Sequence, residues 1–248
     1  MINIGQQLNT AFDSIRNAVS VLQKDTAKTD FMIQHPVKGI VPFILEDYQQ
    51  RLVKKLQSKY VLINHGRQMG ITTTLCMDTI LRALNKPNHK IFWLSPSYNN
   101  GINLCNIMIF MLHNSKYRED VSEYRKSKLV FKNGSEIIFR AVANETLRGL
   151  QQPNRIIIDS AAYVSHNTFY NFWVNIQHYQ SEIIISSNPY EGEGLFYDLW
   201  TQGGIKWKKI MLPWYEMSSR DDDWFEEQKR YLGENVIYEH CCEFKPKI

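Results

Sequence analysis

The stretch Tyr60–Thr74, YVLINHGRQMGITTT, restricts the possible folds of this chain more than any other. Tyr60 to Asn64 is a short apolar, β-favouring run, which predicts a buried strand. A loop carrying Gly66 and Gly70 follows, and a helix opens near Thr72. That order is the layout of a phosphate-binding loop, in which backbone amides and the positive end of a helix face an anion. The pattern G-x-x-x-x-G-K-[ST] is broken at two places. Its lysine position holds Ile71, and its first glycine position holds His65, read here as a turn residue.

Downstream, short β-rich runs alternate with helical patterns. Lys90–Ser95, Arg155–Asp159, Glu182–Ser187 and Trp207–Leu212 read as strands. Thr72–Leu84, Ile102–His113, Thr168–His178, Leu195–Gln202 and Asp221–Tyr231 read as helices, the last opening on the acidic run Asp221-Asp222-Asp223, where negative charge is favourable. Within Lys128–Ala141, two strands flank Asn133-Gly134, a favoured hairpin turn. Strands apolar on both faces belong to a mostly parallel sheet covered by helices. Ligands of such sheets sit beyond the carboxyl ends of the strands. The loop after Asn64, Asp159 and Ser187 therefore converge on one edge.

The amino-terminal part reads differently. Ile4, Leu8, Phe12, Ile15, Val19 and Leu22 recur at steps of four and three, which predicts an amphipathic helix over 3–24. It either packs on its own domain or docks on a partner. Lys24–Gly39 is polar, with Pro36 and Gly39, and reads as a linker or wrapping loop. Ile40–Leu56 is an extended entry into a helix with Tyr48, Leu52 and Leu56 on one face. The expected division is an extension over 1–39 and one α/β domain over 40–248.

Composition narrows the class. A 44% hydrophobic content excludes wholesale disorder, and a net charge of +4 permits a polyanionic partner without requiring one. Cys76, Cys105, Cys241 and Cys242 show no metal-ligand spacing and read as reduced thiols. No run approaches the ~18 apolar residues of a membrane span. Basic clusters stand at Arg51, Lys54, Lys55 and Lys59; at Arg125, Lys126 and Lys128; and at Lys206, Lys208 and Lys209. Solvated faces explain most such clusters, and a DNA-backbone contact at one of them would show as salt-dependent binding.

Hydrolysis of a nucleoside triphosphate needs amides and a cation around the phosphates, a hydroxyl and an acid for Mg²⁺, and a group that orients water. The segment Gly66, Arg67, Gln68, Met69 and Gly70 supplies amides, followed by Ile71, Thr72 and Thr73 at the helix start. Thr72 offers the hydroxyl and Asp159 the strand-end acid. Ser186, Ser187 and Asn188 are placed to sense a γ-phosphate. Gln49, shortly before the first strand, can pair with adenine because its amide both donates and accepts.

Four segments in order resemble the ATPase half of phage terminase large subunits, the motors that drive DNA into procapsids. PFILEDYQQ looks like the family's adenine-contacting entry and GRQMGITTT like its phosphate loop. LRGLQQPNRIIIDSAAYV is similar to its Arg-Gly segment and acidic strand, and IIISSNPYEGEGLFYDLW to its coupling motif. The likeness runs from about Phe31 to Phe244. It implies a P-loop NTPase fold of the RecA/ASCE type, with an N-terminal helical extension. It implies ATP and Mg²⁺ as ligands, with Thr72 and Asp159 on the metal, Gln49 on the adenine, Arg67 in the phosphate loop and Ser186–Asn188 coupling nucleotide state to DNA movement. Implied partners are duplex DNA, portal and small terminase subunit in a homo-oligomeric ring, docked on the procapsid in the host cytoplasm.

Two departures bear on catalysis. Ile71 replaces the phosphate lysine, for which Arg67 can compensate. Ser160 stands where the family has its water-activating carboxylate, and the next residues, Ala161 and Ala162, carry no acid. Serine is a poor base at neutral pH, so the two losses imply weak or absent hydrolysis. The family's nuclease half is also missing, so the chain reads as the ATPase half alone. The rival readings are a pseudo-ATPase that assembles with or regulates an intact motor, and another P-loop enzyme such as a helicase.

Overall fold

A computed structural model describes residues 27–35, 37–143 and 151–246. The helix expected over 3–24 and most of the Arg-Gly segment lie outside them. Two strands, β1 (Ala27–His35) and β2 (Gly39–Leu45), pair antiparallel. The remaining strands are β3 (Tyr60–His65), β4 (Lys90–Ser95), β5 (Val121–Arg125), β6 (Lys128–Phe131), β7 (Glu136–Ala141), β8 (Arg155–Asp159), β9 (Glu182–Ser187) and β10 (Lys208–Leu212). They form one eight-stranded sheet in the order β10-β3-β9-β8-β4-β7-β6-β5. From β10 to β7 all neighbours are parallel, and only the β7-β6-β5 edge is antiparallel.

The helices are α1 (Asp47–Lys55), α2 (Ile71–Asn85), α3 (Tyr98–His113), α4 (His166–Ile176), α5 (Leu195–Gln202), α6 (Asp222–Leu232) and α7 (Asn235–His240). Two apolar layers cover the sheet. One joins α1, α2 and α3 to Val61, Ile63, Trp93, Ile157 and Ile184. The other joins α4 and α5 to Leu62, Phe92, Ile158 and Ile185. Adjacent strand residues thus serve opposite faces, the period of two expected of a doubly covered sheet. Crossovers leaving β3 and β9, which are neighbours, run to opposite sides. A crevice opens at such a switch point.

Several sequence expectations need correction. Residues 24–39 are not a linker throughout, because 27–35 form β1. Phe31 is buried against Tyr117, the two rings tilted with centroids 5.5 Å apart, a contact that local sequence does not announce. Helix α3 starts at Tyr98 rather than Ile102, because the Ser97 side chain accepts from the Asn100 amide and caps it despite Pro96 and Gly101. Strand β5 was missed because Val121 is its one buried residue. Beyond the helix expected over Asp221–Tyr231, where no further element was read, the chain forms α7. The acidic run does open a helix, with Asp221 accepting from the Trp224 amide at 2.8 Å.

Candidate nucleotide-binding site

Register brings the expected residues together. Asp159 pairs with Ser186 across β8 and β9, and Ser187 pairs with Asn64 across β9 and β3. All lie at the carboxyl ends of parallel strands. Helix α2 begins directly after the loop, and its Thr72 hydroxyl donates to the Asp159 carboxylate at 3.0 Å. Full burial pushes the Asp159 pKa up to about 6, although hydrogen bonds from Thr72 and the Ser160 amide pull the other way. Beside it, the Ser186 hydroxyl is buried without a hydrogen-bond partner among the described residues. Ser187 accepts from the Ala162 amide, and Asn188 donates to the Tyr163 hydroxyl at 2.7 Å.

The loop is shaped from its carbonyl side. Arg220 donates to the carbonyls of Arg67 (3.0 Å) and Gln68 (3.1 Å). Tyr48 donates to the Met69 carbonyl at 2.5 Å, and Gln49 reaches the same oxygen at 3.4 Å. In a planar trans peptide the following N–H points the opposite way. The amides of Gln68, Met69 and Gly70 therefore face away from Arg220 and Tyr48. With the amides of Ile71, Thr72 and Thr73 at the helix start, they have no acceptor among the described residues. Left-handed backbone at Gln68 (φ 58°) and Gly70 (φ 65°) is the kind of turn that gathers successive N–H groups into a concavity suited to an anion.

Arg220 and Tyr48 were not legible as site residues, since neither belongs to the loop's own sequence. Arg220 stacks on Trp224 at 4.2 Å, and burial lowers its pKa. Replacing it with alanine frees two carbonyls, and nucleotide affinity is expected to fall at least tenfold, about 1.4 kcal/mol. A fluorescent ATP analogue titrated against both proteins checks this, and equal affinities would show that the loop shapes itself.

Other expected residues are placed less simply. Gln49 is buried with both amide ends engaged, its oxygen accepting from the Glu46 amide at 2.9 Å in a capping box. Ile71 lies in the apolar core beneath α2, so this position packs and does not reach into the crevice. Arg67 is well exposed and pairs with Glu239 at 3.3 Å. Ser160 is left-handed (φ 58°) and opens the short turn Ala161–Tyr163. His65 ends β3, and burial holds its ring near pKa 4, hence neutral. Of the basic clusters, Arg51 is tied to Asp47 and Glu216, Arg125 to Glu123, and Lys128 to Glu136. Lys208 and Lys209 are exposed on edge strand β10.

A mostly parallel sheet, an amide-lined loop leading into a helix, and a helix-start hydroxyl on a strand-end acid together define a domain of the P-loop fold. The chain belongs to the terminase large subunit family: the family described as terminase large subunit, T4likevirus-type, N-terminal, matches residues 62–245. Among solved structures, it is similar to the large terminase ATPase domain of Thermus phage P74-26, at 14% identity and TM-score 0.63, covering 79% of this chain and 93% of that one. It is also similar to the large terminase of bacteriophage HK97, at 16% identity and TM-score 0.68, covering 86% of this chain and 53% of that one. A third likeness is to a large terminase from a thermophilic bacteriophage in complex with ADP, at 11% identity and TM-score 0.61, covering 80% of this chain and 53% of that one. At these identities the likeness carries the fold. No curated protein matches the chain.

Proposed function

We propose that this chain is the ATPase-type motor domain of a DNA-packaging terminase large subunit, binding ATP over Gly66–Thr73 and coupling nucleotide state to DNA movement through Ser186–Asn188. The observation that carries this reading is the Thr72–Asp159 hydrogen bond beneath a loop whose Gln68, Met69 and Gly70 amides have no acceptor among the described residues, whereas those of Gly66 and Arg67, expected to face an anion, donate to the Leu212 and Glu239 carbonyls. Thr72 and Asp159 are the pair that would hold Mg²⁺, whose chemistry is to offset charge on the phosphates. Arg67 is the cation within the loop itself, exposed and held by Glu239 at 3.3 Å. Asn188, bonded to Tyr163, ties the coupling segment to the turn that follows Asp159. Partners in this reading are duplex DNA, a portal and a small terminase subunit, with copies of the chain in a ring on the procapsid in the host cytoplasm.

A second reading has its own observation. Ile71 sits in the core and Ser160 replaces an acid, as befits a pseudo-ATPase that binds nucleotide to assemble or regulate a motor. DNA encapsidation by the assembled motor separates the two. Asp159→Ala in this subunit is expected to abolish encapsidation if the subunit is the motor. Encapsidation at the parental rate, with ATP binding lost, contradicts the motor reading.

A further inference from the structure

Ser160 leaves the site without its usual acid, and the sequence offers none at 161–163. The fold brings one from elsewhere. Helix α7 seats directly on the phosphate loop: the Arg67 amide donates to the Glu239 carbonyl at 2.7 Å. Gly66 permits this approach, since a Cβ there would stand 2.9 Å from the His240 carbonyl oxygen. The main chain of Glu239 is thus fixed against the loop.

Its side chain turns the same way. Oε2 lies 3.3 Å from the Arg67 guanidinium, yet it is shielded from solvent and makes no aligned hydrogen bond. A buried carboxylate oxygen without a donor is unfavourable, and such groups are concentrated where function uses them. Tyr163 is the third residue of the chain after Ser160. Burial raises its phenol pKa most, and the Glu239 carboxylate raises it further while the Asn188 bond and Arg67 oppose. Glu239 thus sits against the loop arginine and within electrostatic reach of Tyr163, in the turn that follows Ser160. Asp159 is already committed to Thr72. A merely structural Arg67–Glu239 pair would contribute little, because Arg67 is largely exposed.

We propose that Glu239 is the carboxylate that orients and deprotonates the attacking water, the role that Ser160 cannot fill. The assignment rests on the reading that the loop holds a nucleoside triphosphate. Arg67 turns from Glu239 to the phosphates when the triphosphate enters, leaving the acid free for water. The water oxygen bonds to the γ-phosphorus, and the bond to the β–γ bridging oxygen breaks. The electron pair leaves with ADP. The water proton passes to Glu239 and from there to solvent.

The test uses the full chain with Mg²⁺, ATP and duplex DNA, and measures equilibrium ATP binding and phosphate release separately. Glu239→Gln keeps the shape of the side chain and the backbone contact to Arg67. It is expected to bind ATP as tightly as the parent or more so, and to lose about 100-fold or more of the turnover rate. Adding Ser160→Glu to Glu239→Gln returns the acid to its family position and is expected to recover at least tenfold, a rescue that a purely structural role would not give. Parental turnover by Glu239→Gln overturns the assignment, as does a double variant no faster than the single one. A parent that binds ATP but releases no phosphate also overturns it while leaving the nucleotide site standing. A parent that binds no ATP overturns the site itself and the assignment with it.

Discussion

Asp78→Ala is expected to lower the free energy of unfolding by about 3–5 kcal/mol, the range for removing one partner of a buried ion pair. Asp78 lies on α2 and meets Arg155, fully buried at the start of β8, at 2.8 Å. Arg82, one turn further along α2, reaches Asp78 at 3.4 Å, Glu182 at 2.8 Å and the Leu56 carbonyl at 2.9 Å. Two guanidiniums and two carboxylates thus stitch α2 to the amino ends of β8 and β9. Without Asp78 the Arg155 charge keeps, among the described residues, the Glu182 carboxylate at 3.7 Å. Urea unfolding followed by circular dichroism measures the loss, and one below about 1 kcal/mol would show that the cluster is solvated or relaxes. Arg155→Met in the Asp78→Ala background is expected to recover much of it, because the uncompensated charge goes too. The cluster matters to the site because it fixes the tilt of α2, whose other end carries Thr72 to Asp159.

Asp159→Asn is expected to move stability and function in opposite directions. The folded-state pKa of Asp159, about 6, lies above its ordinary 3.8. Between those values the folded protein holds a proton that the unfolded chain has shed. Stability therefore falls as pH rises through that window and stays lower above it. Asparagine removes the buried charge and still accepts from Thr72, so a gain of about 1–3 kcal/mol is expected above neutral pH. In the proposed site the same change removes the anion that would hold Mg²⁺, and Mg²⁺-dependent ATP affinity should disappear. In the parent, Mg²⁺ affinity should weaken as pH falls below about 6, where Asp159 takes up its proton. Thermal unfolding with and without Mg²⁺ across this pH range checks both halves. A destabilised Asp159→Asn protein would contradict the account of the site's electrostatics.

The strands that build the crevice were legible because each is a short run buried on both faces. β4, β8 and β9 each carry an unbroken apolar run, Ile91–Leu94, Ile156–Ile158 and Ile183–Ile185, with polar residues only at their ends. Register then follows from parallel pairing, which is why Asp159, Ser186 and the loop could be placed on one edge from sequence. Of the edge elements, β10 was legible and β1 and β5 were not. β1 and β5 bury few side chains, and their stability comes from partners such as Tyr117 and the β6 ladder. The groups that shape the loop were the least legible. Arg220 is 153 residues from the carbonyl of Arg67, and nothing in its neighbours marks it. Glu239 lies beyond Tyr231, in a segment to which the sequence reading gave no element and no role. Gln49 carried a local signal, the Glu46-x-x-Gln49 spacing of a capping box. The sequence reading assigned Gln49 to adenine and overlooked its role in holding the helix start and the loop. Ile71 was read as a missing cation, and its burial shows that the position serves the core.

Nucleotide binding at the loop is the claim on which the rest depends, and equilibrium titration of ATP with and without Mg²⁺ tests it most directly. The parent chain and Thr72→Val, which keeps the branched shape and removes the hydroxyl, are compared side by side. The account predicts saturable binding by the parent, strengthened by Mg²⁺, with that strengthening lost in Thr72→Val. Absence of saturable binding, or a Mg²⁺ effect equal in the two proteins, would contradict it.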